Sequence, residues 1–134
     1  MIPVRAVLSL ALLTGLLAAF SSAAESPRTA AEIVASKRAF APEVVTLRLG
    51  APATLIIRNE DEDLHAFVPL LLFQRTNVQV AGNGAPEFNE TGFVRLLVPP
   101  RGRSELRFTP RTAGTFFYIC DLPGHNMRAQ IVVK

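Results

Sequence analysis

The sequence predicts an all-β domain, an antiparallel sandwich or barrel. Three observations carry that prediction. Apolar and polar residues alternate with a period of two in several short segments, the pattern of strands with one buried face. Turn residues punctuate the chain between those segments. Ten prolines stand in 134 residues, and beyond the N-terminus no apolar stripe repeats every 3.6 residues, which argues against long helices.

The first element is a leader. Residues 6–20, AVLSLALLTGLLAAF, are apolar apart from Ser9 and Thr14, and only Arg5 precedes them as a charge. The small residues Ser21-Ser22-Ala23-Ala24 follow, then Glu25. A charged start, a short apolar run and a small-residue cleavage site read as a secretory signal peptide. The run is short of the roughly 20 residues that span a bilayer. The reading places residues 1–24 as a cleaved leader and 25–134 as one exported domain, periplasmic in a bacterium, with no stable membrane insertion after cleavage.

The strands follow in order. In 43–49, EVVTLRL, Val45, Leu47 and Leu49 share one face and Thr46 and Arg48 the other. Segment 53–58, ATLIIR, is rich in β-branched residues. Segment 104–109, SELRFT, sets Leu106 and Phe108 against Glu105 and Arg107. Segments 115–120, TFFYIC, and 129–133, AQIVV, are compact apolar strands. Gly50-Ala51-Pro52, Asn59-Glu60-Asp61, Pro99 to Gly102, Pro110 to Gly114 and Pro123-Gly124 supply turns. Residues 76–92 lack sustained periodicity and read as a long loop, a functional element or a tolerated insertion. Asn89-Glu90-Thr91 within it has the form of a glycosylation acceptor.

Composition narrows the chemistry. One cysteine excludes an internal disulfide, a four-cysteine zinc site and an iron–sulfur cluster. The formal charge of +3 falls by one when Arg5 leaves, and no basic run interleaves with aromatics, so nucleic acid is not the partner. An unpaired cysteine in an exported chain signals an intermolecular bridge, a reactive thiol or a metal-bound one. The sulfur and imidazole of the mature chain are scarce: Cys120, Met127, His125 and His65. Cys120, His125 and Met127 lie within eight residues, in C-D-L-P-G-H-N-M.

That set matches one metal chemistry. Two histidines and a cysteine in a trigonal plane, with a weak axial methionine, make a blue-copper site. Pro123-Gly124 can reverse the chain between Cys120 and His125. In extended chain His125 and Met127, two apart, address one face. The axial place can also go to a glutamine or a backbone oxygen, and Gln130 is near in sequence. Zinc held by Cys120 and both histidines, with water fourth, is the other metal reading.

The sequence resembles the cupredoxins, the fold of small blue copper proteins. The likeness spans about residues 33–134 and rests on F-A-P-E-V-V-T-L-R-L-G at 40–50, H-A-F at 65–67, and G-T-F-F-Y-I-C-D-L-P-G-H-N-M at 114–127. It implies an eight-stranded Greek-key β-sandwich with one type 1 copper at one end. His65, Cys120 and His125 would be the strong ligands and Met127 the axial one. Leu64, Phe67, Leu122 and Pro123 would form an apolar docking rim. The chain departs from the family where a single residue, Asn126, separates His125 from Met127. It departs again where Ala66 takes the place of the usual Asn or Asp. The implied function is one-electron transfer without catalysis, between partners such as a cytochrome, an oxidase or a reductase, by a monomer. Copper delivery, storage or tolerance, or an accessory role in a metal-uptake or respiratory complex, are the competing functions.

Overall fold

The computed structural model describes residues 28–134; the expected leader lies outside them. Among the described residues eleven strands form: β1 Thr29–Ser36, β2 Ala39–Ala41, β3 Val44–Leu47, β4 Ala53–Asn59, β5 His65–Phe67, β6 Gln79–Gly82, β7 Ala85–Asn89, β8 Gly92–Val98, β9 Arg103–Phe108, β10 Gly114–Cys120 and β11 Met127–Val133. The resemblance implies eight; short pieces such as β2, β6 and β7 raise the number. No helix there is long and apolar enough to cross a membrane.

One layer is a five-stranded sheet in the order β2-β1-β4-β9-β6. The other is built from two three-stranded sheets, β10-β11-β3 and β5-β8-β7. An isolated bridge between Val68 and Ile119 joins these two, with Val68 N–H to Ile119 O at 2.9 Å and Ile119 N–H to Val68 O at 3.1 Å. Alternation then fills the space between the layers. Ile33, Leu55, Ile57 and Leu106 come from the first layer, and Leu47, Leu96, Tyr118 and Ile131 from the second, all fully buried. Burying each such side chain contributes about 1.5–3 kcal/mol.

Two strand pairs depart from the antiparallel expectation. β1 runs parallel to β4, and β11 parallel to β3. Parallel neighbours need a crossover of a dozen or more residues. Residues 37–52 provide it by carrying β3 into the opposite layer before β4 returns beside β1.

The expected long loop at 76–92 is also corrected. β6 pairs with β9, and β7 forms a hairpin with β8. Both strands are mostly exposed edges, so backbone pairing to a neighbour, and not an apolar face of their own, makes them strands. Gly82 sits at φ +105°, and a Cβ there would collide with the Arg103 carbonyl. The Asn89-Glu90-Thr91 triplet turns the hairpin, with Asn89 Oδ1 accepting Thr91 N–H at 2.8 Å and its hydroxyl at 2.7 Å.

The topology brings four strand ends to one pole: the C-terminal ends of β4 and β10 and the N-terminal ends of β5 and β11. Asn59, Cys120, His65 and Met127 occupy those ends.

Candidate metal centre

Cys120 and Met127 are the last register pair of the β10–β11 hairpin. Directly opposed residues of an antiparallel pair share a face, with Cβ atoms about 4.5–5.5 Å apart. Both are buried. In β11 the residues Met127, Ala129, Ile131 and Val133 face inward. Gln130 lies on the other face, which removes it as an axial ligand.

The six residues between the strands turn at Leu122-Pro123-Gly124-His125. His125 N–H donates to Leu122 O at 3.0 Å, and Gly124 has φ +78°. Proline second and a left-handed glycine third are the marks of a type II turn. The turn returns His125 to Cys120, with Nδ1 3.5 Å from Sγ.

His65 arrives from β5 and is 1% exposed. Its Nδ1 lies 3.2 Å from His125 Nδ1, and its Nε2 lies 2.8 Å from Asp61 Oδ2. Asp61 also accepts Lys37 N–H at 2.7 Å and Arg38 N–H at 3.0 Å. The Arg38 N–H lowers the carboxyl pKa most, burial opposes it, and His65 and the Lys37 N–H lower it further, to about 2. An ionised carboxylate only accepts, so Nε2 must carry the proton. A neutral imidazole has one N–H, and the lone pair of Nδ1 is left facing His125 and Cys120.

The donor atoms of His65, Cys120 and His125 all lie within 4.8 Å of one another. Ligands about 2 Å from one centre, the nitrogen distance at zinc, stand about 3.5 Å apart in a trigonal plane. The 3.2 and 3.5 Å separations match that plane. The residues therefore fit a metal of the size of copper or zinc. A thiolate with two imidazoles and a thioether beside it is the softer set, suited to copper.

The backbone braces the sulfur where the family's Asn or Asp is absent. Ala66 N–H points at Cys120 Sγ across 3.3 Å, so the side chain at 66 is not needed for that contact. The adjoining loop hangs on Asn59, which is 2% exposed. Its Nδ2 lies 2.7 Å from Asp63 O, 3.0 Å from Val98 O and 3.1 Å from Pro99 O, and its Oδ1 accepts Asp61 N–H at 2.9 Å. Asn59 was legible only as a turn residue. Continuing the alternation Ala53, Leu55, Ile57 would have placed it inward, where a polar side chain needs partners. Arg95 grips Asp121, at the start of the ligand loop, with Nη1 3.0 and 2.9 Å from its two oxygens.

The surroundings correct one expectation. Phe67 is not on the docking rim: it is fully buried, its ring packed 5.1 Å from Tyr118, because β5 is buried along its whole length. Leu64 is 39% exposed, Pro123 is exposed and Leu122 partly so, and these three flank the site. Glu60 pairs with Arg58, Glu62 with Arg101 and Asp63 with Arg38.

A family model described as the cupredoxin-like domain matches residues 9–133. Three solved structures are similar in fold. Auracyanin A, described as a "blue" copper protein from Chloroflexus aurantiacus, is 20% identical over 81% of this chain and 100% of its own, with a TM-score of 0.58. Dithionite-reduced auracyanin from Roseiflexus castenholzii is 19% identical over 79% and 97%, with a TM-score of 0.57. A Cu(I) amicyanin variant is 16% identical over 78% and 82%, with a TM-score of 0.52. No curated protein matches the sequence.

Proposed function

Because the chain belongs to the cupredoxin-like domain family, we propose that it holds one type 1 copper and carries single electrons between redox proteins in the periplasm, without catalysing a reaction of its own. The observation that carries this reading is the convergence of His65 Nδ1, His125 Nδ1 and Cys120 Sγ, within 4.8 Å of one another, with Met127 opposite Cys120 in the hairpin. When bound, the copper supplies a one-electron Cu(II)/Cu(I) couple.

The protein's part is to keep one geometry for both states. His65 is fixed by Asp61, Cys120 by the hairpin and the Ala66 N–H, and His125 by its type II turn. These constraints come from backbone pairing and buried hydrogen bonds, so the donor positions need not rearrange when charge changes. Water is excluded from His65 and Cys120, which are buried, whereas His125 is partly exposed. Its ring edge is the way out for an electron, with Leu64, Leu122 and Pro123 as an apolar collar. Redox encounters bury small areas, and a collar of three residues suits a brief contact. The similarity in fold to auracyanin A, a "blue" copper protein, and to a Cu(I) amicyanin variant supports the same reading.

The test is a Cu(II) titration of residues 25–134. An intense visible thiolate-to-copper band should rise to an endpoint at one equivalent. Cys120→Ser should abolish it, His65→Ala or His125→Ala should change or remove it, and Met127→Leu should keep colour and shift the potential. A wild-type protein that stays colourless at full loading overturns the proposal.

A further inference from the structure

Asp61 stands outside the ligand set, yet its carboxylate joins three things. It accepts Nε2–H of His65 at 2.8 Å and the backbone N–H groups of Lys37 and Arg38 at 2.7 and 3.0 Å. Lys37 and Arg38 are the two central residues of the β1–β2 hairpin, whose flanking pair is Ser36 and Ala39. Both have positive φ, 52° and 55°, the signature of a type I′ turn. Such turns normally use Asn-Gly or Gly-Gly, because residues with a Cβ pay for left-handed backbone. Here two long cationic residues hold the conformation, and both of their N–H groups end on one carboxylate. Asn59 Oδ1 in turn holds the Asp61 N–H at 2.9 Å.

We infer that Asp61 is a positioning residue for His65, anchored by the β1–β2 turn, which fixes the Nε2–H tautomer and raises the electron-donating power of Nδ1. The inference rests on the copper reading above. A hydrogen bond from an imidazole N–H to a carboxylate fixes the ring's orientation and makes its other nitrogen a better ligand. A more basic ligand favours Cu(II) over Cu(I), so Asp61 holds the reduction potential down. The turn's two N–H groups keep the carboxylate in place, with one oxygen aimed at the ring. The strand pair β1–β2, remote in sequence from every ligand, thereby becomes part of the site's support.

The experiment is Asp61→Asn, read in two ways. In copper-free protein, ¹⁵N-detected NMR of the imidazoles should show wild-type His65 as the Nε2–H tautomer alone. The variant should show a mixture, because its single amide oxygen must serve both the turn and the ring. In copper-loaded protein, Cu(II) affinity should fall about 10- to 100-fold. If Cu(I) affinity falls tenfold less than Cu(II) affinity, the potential rises by about 59 mV for one electron. A merely structural Asp61 would lower the melting temperature and leave tautomer and potential alone; that result overturns the inference. A wild-type protein that takes up no copper would instead overturn the function, and the tautomer measurement would still decide the role of Asp61. Asp61→Glu, which keeps the charge and one extra methylene, should restore most of the single tautomer; a mixture equal to that of Asp61→Asn counts against the charge being the cause.

Discussion

Asn59→Ala should destabilise the domain more than any other single polar truncation near the site. The side chain has two hydrogens facing three carbonyls, at 2.7, 3.0 and 3.1 Å, so one of its bonds is shared, and its oxygen takes a fourth contact from the Asp61 N–H. Truncation removes two donated hydrogens and one accepted one. At about 1 kcal/mol net for each, the loss is about 3 kcal/mol, and the carbonyls and N–H left without partners in a buried site can only add to it. At about 4 °C per kcal/mol for a domain near this size, the midpoint should fall by about 12 °C. The assay is guanidinium unfolding of the copper-free protein, followed by circular dichroism, with thermal melts beside it. Asn59→Asp keeps the acceptor and removes both donors, and should be no more stable than Asn59→Ala. A loss under 1 kcal/mol for the alanine variant would refute the idea that Asn59 ties the 60–64 loop to the sandwich.

Three further outcomes are expected. Tyr118→Phe should leave stability unchanged or raise it by up to about 1 kcal/mol, because the Tyr118 hydroxyl is buried with no hydrogen-bond partner among the described residues; a clear loss in a urea titration would show that the hydroxyl is bonded. Phe67→Ala should cost about 3–5 kcal/mol, since the ring is core, while its effect on a partner's on-rate in stopped flow should be small as long as the protein stays folded. Acid should weaken the copper-free fold through Asp61. Its folded pKa of about 2 lies below the ordinary 3.8, so it contributes stability above pH 4, about 2 kcal/mol at most. That contribution is lost as pH falls from about 4 through about 2. Asp61→Asn should flatten this part of the stability–pH curve, measured by chemical unfolding at each pH.

Legibility followed the origin of each element. β3 and β9 were visible because each carries its own alternation, Val45 and Leu47 or Leu106 and Phe108 facing the core, and β4, β10 and β11 because they are compact β-branched or apolar runs. β6 and β7 were invisible because their residues are exposed on both faces, and only the ladder to β9 or β8 makes them strands. β1 was missed for a related reason: its first residues are polar or small and exposed, and only Ile33 and Ala35 reach the core. Phe67 was misplaced because neighbourhood in sequence to a ligand says nothing of which way a three-residue strand turns its side chains.

The candidate ligands were fixed by inventory. Cys120, His125 and Met127 are close in sequence, and a type II turn at Pro123-Gly124 is local chemistry that depends on no distant residue. Local propensity and scarcity were therefore enough to name four residues and a fold class. The tertiary structure alone decided what supports them. The reach of His65 to Cys120 across 55 positions, the Asp61 link to a turn 24 residues away and the Asn59 clasp on Val98 are meetings of segments distant in the chain. Such contacts form when the two layers close on a common core. No periodicity encodes them, because each is set by where a strand ends and not by what its own residues prefer.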